Sequence, residues 1–340
     1  MYKYVSFALT FSGLMMPAAF AGVTVTNPTS GSSSGSPVHF VASGTTSTCS
    51  KGVAAMGIYT APYQKAYTVS GSHLDTYVSL GAGTYHTTVV AWDYCGGAST
   101  QDVTVTIGGN VLSNLQSKGG WKGYGELPPK YDICTSCGSG LGWSMNQGIS
   151  SPSLDGKAAK FNIWGSVPYA DILWNNHLIG HGTSLNMPDT NQTIVPNIHH
   201  LTYDTYFYGS NLTLAENIEF DIAQFFNGMG FMFGTECVTY NSSVWKIWDN
   251  AHAKWVSTNA PCNPISNKWN HVVLQFERTS DNQLLYKSIT LNGVTTTLNV
   301  KYPHYSTPGW YGLVVNFQLD GNYKLNDYSV YLDKLNITYD

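Results

Sequence analysis

Charged side chains are scarce in this 340-residue chain, in which Asp, Glu, Lys and Arg together make up 11% of the residues. An average soluble protein carries about 25%. Lys and Arg number only 16 against 20 Asp and Glu, which gives a formal net charge of −4. A protein that neutralises a phosphate backbone needs a clustered basic surface. The composition therefore excludes nucleic acid as an expected partner.

Long hydrophobic runs are also missing beyond the N-terminus, since no later segment contains a run of apolar residues long enough to span a membrane. The N-terminus itself has a short positive start, an apolar run over 5–16 and the small-residue motif Ala19-Phe20-Ala21. This run is shorter than the ~20 residues that a spanning helix needs, and the pattern is typical of a secretory signal peptide over 1–21. We therefore expect cleavage after Ala21, a secreted or periplasmic protein, and no membrane segment in the mature chain.

Aromatic and small residues take the place of the missing charges, because the chain has 23 Tyr, 10 Trp and 34 Gly and is 43% hydrophobic. This composition rules out disorder over most of the chain. At roughly 100–200 residues per domain, the length suggests two domains. Long helical periodicity is missing, whereas short alternating runs recur throughout, and these runs predict an all-β protein.

Six cysteines follow the signal peptide, and an even number in an exported chain favours disulfide bonds. Sequence order and the predicted hairpins suggest the pairs Cys49–Cys95, Cys134–Cys137 and Cys237–Cys262. The first spacing suits a bridge between two sheets. The Cys-x-x-Cys pair lies between prolines and glycines, which indicates a loop instead of a redox motif.

Residues 22–108 contain period-2 runs such as Val38–Ala42 and Val103–Ile107. Several such runs with turns at roughly 8–12-residue spacing predict a β-sandwich. The stretch from Leu80 to Asp93 resembles the strand-F region of bacterial immunoglobulin-like domains. The resemblance implies a domain that spaces or presents its neighbour, and we assign no chemistry to it. The predicted boundary is Gly108-Gly109-Asn110.

Residues 109–340 continue the alternation in one larger domain. The run Trp269–Phe276 followed by Leu284–Gly293 resembles the W-x-H-V … L-N-G hairpin of laminin-G and concanavalin A-like jelly rolls. The resemblance implies that Trp269 begins a buried strand, that Asn292-Gly293 forms the hairpin turn, and that Tyr328–Tyr339 returns beside the first strand of the domain. The expected fold is an immunoglobulin-like sandwich followed by a concanavalin A-like jelly roll. This jelly roll occurs in lectins, glucanases, lyases and adhesion modules, so the fold leaves the activity open.

Two carboxylates share one face of a strand predicted over Glu216–Gln224. Side chains alternate along a strand, so Glu219 and Asp221 point to the same side. This Glu-x-Asp pattern resembles the catalytic strand of laminarinase-type glucanases, whose third carboxylate falls here on Gln224. The Glu-Phe-Asp triplet also resembles the metal-binding strand of legume lectins, whose later ligands are not matched in this chain. Neither pattern is complete.

Glu236 offers a second carboxyl for catalysis. A hairpin turning near Asn227 would lay the segment around Glu236 antiparallel to the acidic strand, and one register places Glu236 about 5 Å from Glu219 at Cβ. A register shifted by one residue places Thr235 there instead, and the sequence leaves both registers open. If the two glutamates pair, Glu219 as nucleophile, tuned by Asp221, and Glu236 as acid/base form a sound hydrolase site. The alternatives are a satisfied polar network or a structural ion site, and ligand binding without catalysis.

Tryptophans cluster just after the acidic strand, at Trp245, Trp248 and Trp255. Sugars stack the apolar C–H faces of their rings on aromatic side chains, while Asp, Asn and Tyr bond their hydroxyls. We therefore predict carbohydrate contacts at these three residues and at Asp249. Trp248 and Asp249 are the preferred surface pair, because the Asp-Asn turn keeps that end of the strand near solvent.

The leading hypothesis is a secreted lectin-like protein that binds extracellular or cell-wall carbohydrate, with a polysaccharide or glycan as partner. A glycoside hydrolase or polysaccharide lyase using Glu219, Asp221 and Glu236 is the first alternative. A structural or adhesion protein without a sugar ligand is the second. No cofactor and no catalytic metal are expected, and a structural calcium ion is the one exception left open.

Overall fold

The computed structural model describes residues 22–78, 80, 83–138, 140–165, 171–180, 192–240, 242–321 and 327–340. The signal peptide predicted over 1–21 lies outside the described residues. Within these ranges the chain is built from β-strands, with short 3₁₀ helices at Leu115–Ser117, Val195–Asn197 and Leu212–Leu214 and no α-helix. The prediction of an all-β protein is confirmed. None of the helices described is long and apolar enough to cross a membrane.

Residues 22–107 form two sheets that enclose a shared core. Their strands are β1 (Gly22–Asn27), β2 (Ser32–Ser34), β3 (Val38–Thr45), β4 (Val53–Ala61), β5 (Gln64–Ser70), β6 (His73–Val78), β7 (Gly83–Asp93) and β8 (Ala98–Ile107). One sheet has the order β1-β3-β6 and the other the order β2-β8-β7-β4-β5. Val38, Phe40 and Ala42 alternate into the core from β3, as the period-2 pattern predicts. The immunoglobulin-like assignment and the domain boundary at 108–110 stay predictions.

The rest of the chain forms a second and larger pair of sheets. Its strands are β9 (Asn110–Leu112), β10 (Lys122–Gly123), β11 (Leu141–Ile149), β12 (Ala158–Gly165), β13 (Asp171–Ile179), β14 (His200–Tyr208), β15 (Ala215–Phe226), β16 (Met229–Phe233), β17 (Thr235–Val238), β18 (Val244–Asp249), β19 (Lys254–Pro261), β20 (Trp269–Arg278), β21 (Gln283–Leu291), β22 (Val294–Pro303), β23 (Tyr305–Ser306), β24 (Gly312–Gly321) and β25 (Tyr328–Tyr339). The nine-stranded sheet has the order β10-β13-β24-β15-β17-β18-β19, with β16 beside β15 and β23 beside β16. The eight-stranded sheet has the order β11-β12-β25-β14-β20-β21-β22, with β9 beside β25.

Aromatic side chains fill the core between these two sheets. Phe220 on β15 lies among several of them, with ring centroids 5.8 Å from Tyr203, 5.5 Å from Phe317 and 6.0 Å from Trp245. Each sheet buries one of its two faces. The residues of β15 that enter the core therefore determine which of its side chains lie on the opposite face.

Three turn and strand predictions for this region are confirmed. Asn292 and Gly293 have φ values of 51° and 84° and join β21 to β22, as an Asn-Gly hairpin requires. Asn227 and Gly228 make the equivalent turn between β15 and β16, with φ values of 51° and 77°. The C-terminal strand β25 pairs with β9, the first strand after residue 108.

All three predicted disulfide pairs are present, with Cα–Cα distances of 5.8 Å for Cys49–Cys95, 5.4 Å for Cys134–Cys137 and 5.5 Å for Cys237–Cys262. The expectation that the first pair bridges two sheets is wrong. Cys49 lies in the loop between β3 and β4 and Cys95 in the turn between β7 and β8. This disulfide therefore ties two connections together at one end of the sandwich.

Candidate functional site

The acidic residues lie on the outer face of the nine-stranded sheet. In β15, Ile218, Phe220 and Ile222 enter the core, so Glu219 and Asp221 point away from it. Glu219 lies directly opposite Glu236 on β17. Of the two registers that the sequence leaves open, the structure has the one that pairs the glutamates.

The two glutamates are held in a buried network. Only 6% of Glu219 and 1% of Glu236 is exposed. The amide of Gln318 donates to Glu219 Oε1 at 2.7 Å. Glu236 accepts from Lys246 Nζ at 2.5 Å and from Asn217 Nδ2 at 3.1 Å. A retaining glycosidase needs both carboxyls within reach of the glycosidic bond, so this burial disfavours the predicted catalytic roles of Glu219, Asp221 and Glu236.

Asp221 has a structural role in the same sheet. The β15 ladder is interrupted between the pairs Ile222–Phe233 and Glu219–Glu236. In this gap Asp221 Oδ1 accepts from the backbone N–H of Thr235 at 2.9 Å, and the Thr235 hydroxyl donates to the Phe220 carbonyl at 2.5 Å. Burial raises the pKa of Asp221 to about 8, although the hydrogen bond from Thr235 opposes the shift.

A third carboxyl, that of Asp320, completes what we call the acid cluster: Glu219, Glu236 and Asp320. One carboxylate oxygen from each residue lies within 4.8 Å of the others. Burial, and secondarily the repulsion between these groups, raises the pKa of Glu219 and of Asp320 well above their usual values. In the described part of the chain, the only salt bridge to the cluster comes from Lys246.

Such a cluster has the chemistry to hold protons or a divalent cation that prefers oxygen ligands. These are the residues that could hold the structural calcium ion, which stays a prediction.

Two of the four predicted carbohydrate contacts are buried. Trp245 is 0% exposed and packs in the core, and Asp249 is 4% exposed. Asp249 accepts from the backbone N–H groups of Ala251 and His252 and from His252 Nδ1, so it forms the turn after β18. The prediction that Trp248 and Asp249 form a surface pair is wrong, because neighbours on a strand point to opposite faces.

Trp248 and Trp255 do lie together on the outer face. They are directly opposite each other on β18 and β19, half-buried, with ring centroids 5.2 Å apart and planes at 71°. Gly234 lies beside them, and a Cβ atom there would be 2.9 Å from Trp248 Cβ and 3.2 Å from Trp255 Cη2. The side chain missing at Gly234 therefore lets the Trp255 ring approach the sheet.

Sequence reasoning missed two polar neighbours of this pair. Lys246 and Ser257 are opposite each other in the next row of β18 and β19, on the same face as the two indoles. We call Lys246, Trp248, Trp255 and Ser257 the indole patch. The alternation of β18 could have indicated Lys246, which lies two residues before Trp248. The Lys246–Glu236 bond joins the indole patch to the acid cluster.

Comparison with known proteins assigns this chain to no family. No family model matches the chain, and neither does any curated protein. Similar solved structures include carbohydrate-binding modules from the β-sandwich superfamily, with a TM-score of 0.37, 12% identity, and coverage of 94% of this chain and 97% of that chain. Another is the lectin UEA-II complexed with galactose, with a TM-score of 0.34, 10% identity, and coverage of 66% and 100%.

A further similar structure is the metal-free lectin I-B4 from Griffonia simplicifolia, with a TM-score of 0.35, 9% identity, and coverage of 65% of this chain and 99% of that chain. At such identities and scores, the similarity carries no argument about the site.

Proposed function

We propose that this is a secreted carbohydrate-binding protein and that the indole patch contacts the sugar rings of a polysaccharide or glycan. The observation that carries the proposal is the pairing of two half-buried indoles, Trp248 and Trp255, beside Lys246 and Ser257 on one sheet face. Indole rings offer flat apolar surface to the C–H faces of a pyranose. The ammonium and hydroxyl groups next to them can bond the ring hydroxyls.

The patch is suited to binding because its parts are fixed before a ligand arrives. Lys246 Nζ is bonded to the buried Glu236, and the Trp255 ring lies against Gly234. A site with fixed side chains loses less conformational entropy when it binds. The acid cluster then acts as the support of the patch and takes no part in bond cleavage.

Replacing Trp248 or Trp255 by Ala is expected to weaken carbohydrate binding by at least ~10-fold, since a buried aromatic contact at an interface contributes about 2 kcal/mol or more. A glycan array and pull-down on insoluble polysaccharides identify the ligand, and calorimetry then gives Kd for each variant. The matched control is Trp164→Ala, because Trp164 on β12 is the most exposed tryptophan described, at 39%. We expect this control to bind like the wild type.

Two results would contradict the proposal. Equal Kd values for the wild type and both indole-patch variants would show that the sugar binds elsewhere. Absence of binding to every glycan tested would instead favour the structural or adhesion alternative.

A further inference from the structure

A cavity of 630 Å³ lies between the strands of residues 22–107 and the outer face of the eight-stranded sheet. Lys65 and Tyr67 line it from β5, and Tyr206, Trp269 and Lys334 line it from the larger sandwich. Its volume is in the range of about 300–1,000 Å³ that is typical of ligand pockets. None of these residues belongs to the indole patch or to the acid cluster.

The backbone at Lys334 is unusual for a lysine. Between the pairs Asp204–Asn336 and Tyr206–Asp333, strand β25 has an extra residue, which makes a β-bulge at Lys334. Lys334 has a φ of 52°, a left-handed conformation that favours Gly or Asn. Bulges re-aim side chains, and strained residues concentrate at functional sites. The bulge sends the Lys334 side chain over the Tyr206 ring, with Nζ 5.9 Å from the ring centroid.

A largely buried histidine–aspartate pair holds the Tyr206 ring in place by stacking on it. His271, which also lines the cavity, stacks on Tyr206 with ring centroids 4.2 Å apart and planes at 4°. His271 Nε2 is 2.7 Å from Asp204 Oδ1, and both side chains are largely buried. The cavity therefore presents an aromatic surface that is already oriented before a ligand enters.

Neither of the two lysines of the cavity has a salt-bridge partner in the described part of the chain. The lysine salt bridges found there belong to Lys130, Lys246 and Lys287. Among the described residues that line the cavity, Asp155 is the one acidic residue, and its Oδ1 already accepts the backbone N–H of Lys157. The cavity therefore has an excess of positive charge, from Lys65 and Lys334, although the net charge of the protein is −4.

We propose that this cavity is a second ligand site and that it binds an anionic oligosaccharide. The sugar rings pack on Tyr206 and Trp269, and a carboxylate or sulfate group of the ligand lies between Lys65 and Lys334. Aromatic rings beside ammonium groups that have no salt-bridge partner fit this class better than a neutral sugar, because a charged ligand group pairs with the lysines.

Calorimetry on the full chain tests the site with a tetrasaccharide of uronic acid residues, a sulfated tetrasaccharide and a neutral tetrasaccharide. Lys334→Asn is the informative variant, because Asn tolerates the left-handed backbone while the charge is lost. We expect Lys334→Asn and Lys65→Gln each to weaken binding of the anionic ligand by ~10-fold, with binding also falling as salt rises. Lys301→Gln is the matched control, since Lys301 is exposed on β22 and does not line the cavity.

The outcomes separate this site from the indole patch. The proposal is supported if the protein prefers the uronate or the sulfated ligand to the neutral one, and if this binding is weakened in both lysine variants but not in Lys301→Gln. The preferred ligand then identifies the anionic group. The double variant Trp248→Ala/Trp255→Ala should keep that binding, even if the proposed function of the patch fails. The proposal is overturned if the neutral ligand binds as well as the anionic ones, or if no anionic ligand binds. It is also overturned if both lysine variants keep the wild-type Kd, or if the tryptophan double variant loses binding of the anionic ligand.

Discussion

The melting temperature of this protein is expected to fall by on the order of 10 °C between about pH 5 and about pH 8. Burial raises the pKa of Asp221 to about 8 and raises the pKa of Glu219 and of Asp320 well above their usual values. Between the unfolded pKa of about 4 and these raised values, the folded state holds more protons than the unfolded chain. Stability contributed by the protonated groups is therefore lost as the pH rises through this window. Differential scanning calorimetry across the range measures the effect.

Two variants show whether the buried carboxyls cause this loss. Asp221→Asn removes one titrating group but keeps an oxygen that can accept the Thr235 N–H, so we expect a shallower slope of Tm against pH. Asp281→Asn is the matched control, because hydrogen bonding from Thr279 lowers the pKa of the exposed Asp281 and places its titration below this window. A Tm that stays constant or rises between these pH values in the wild type would contradict the prediction.

Calcium tests whether the acid cluster holds an ion. Only ionised carboxylates ligate calcium, so a bound ion would raise Tm more at about pH 8 than at about pH 5. Equal Tm values with excess calcium and with a chelator at both pH values would show that the cluster is neutralised by protons and by Lys246 alone.

Replacing Lys246 by Met is expected to lower the free energy of unfolding by about 3 kcal/mol at about pH 8. The Lys246 ammonium is 2.5 Å from Glu236 Oε1, and only 2% of the Glu236 side chain is exposed. Met keeps the apolar stem of the side chain but leaves a buried carboxyl without its cation. Since burial raises the pKa of Glu236, the group is protonated in acid, and at about pH 4 the cost should be below about 1 kcal/mol. Urea unfolding at the two pH values gives both numbers.

Lys287→Met is the matched control for this experiment. Lys287 Nζ is 3.1 Å from Glu277 Oε2, but 40% and 26% of the two side chains are exposed. A surface pair of this kind contributes less than about 1 kcal/mol at either pH. If the two variants lose the same stability, or if the loss in Lys246→Met does not depend on pH, the buried pair is not the cause.

The alternation of the sequence predicted the local arrangement of the site well. It placed Glu219 and Asp221 on the face opposite the core, and the turn at Asn227-Gly228 predicted the hairpin that brings Glu236 near. These features depend on residues close together in the chain, where strand period and turn chemistry decide the geometry.

Burial and face assignment could not be predicted in the same way. Strand β18 has tryptophans on both of its faces, so the alternation separates Trp245 from Trp248 without showing which one enters the core. The burial of Glu219 depends on Gln318, which lies 99 positions away on β24. The cavity lined by Lys65 and Lys334 likewise joins segments that are far apart in sequence.

The positions of β24 and β25 have a consequence for how the larger sandwich is made. These are the last two strands that the structure describes, yet β24 lies between β13 and β15, and β25 lies between β12 and β14. Until the ribosome has released β24, strands β13 and β15 have no link across the centre of their sheet, and β12 and β14 depend on β25 in the same way. Pairing over such sequence distances is slow. Until it happens, the unpaired edges of the earlier strands are exposed, and nascent chains can aggregate through them. Completion of this sandwich is therefore a late and cooperative event, and protection by a chaperone would matter most just before the final strands arrive.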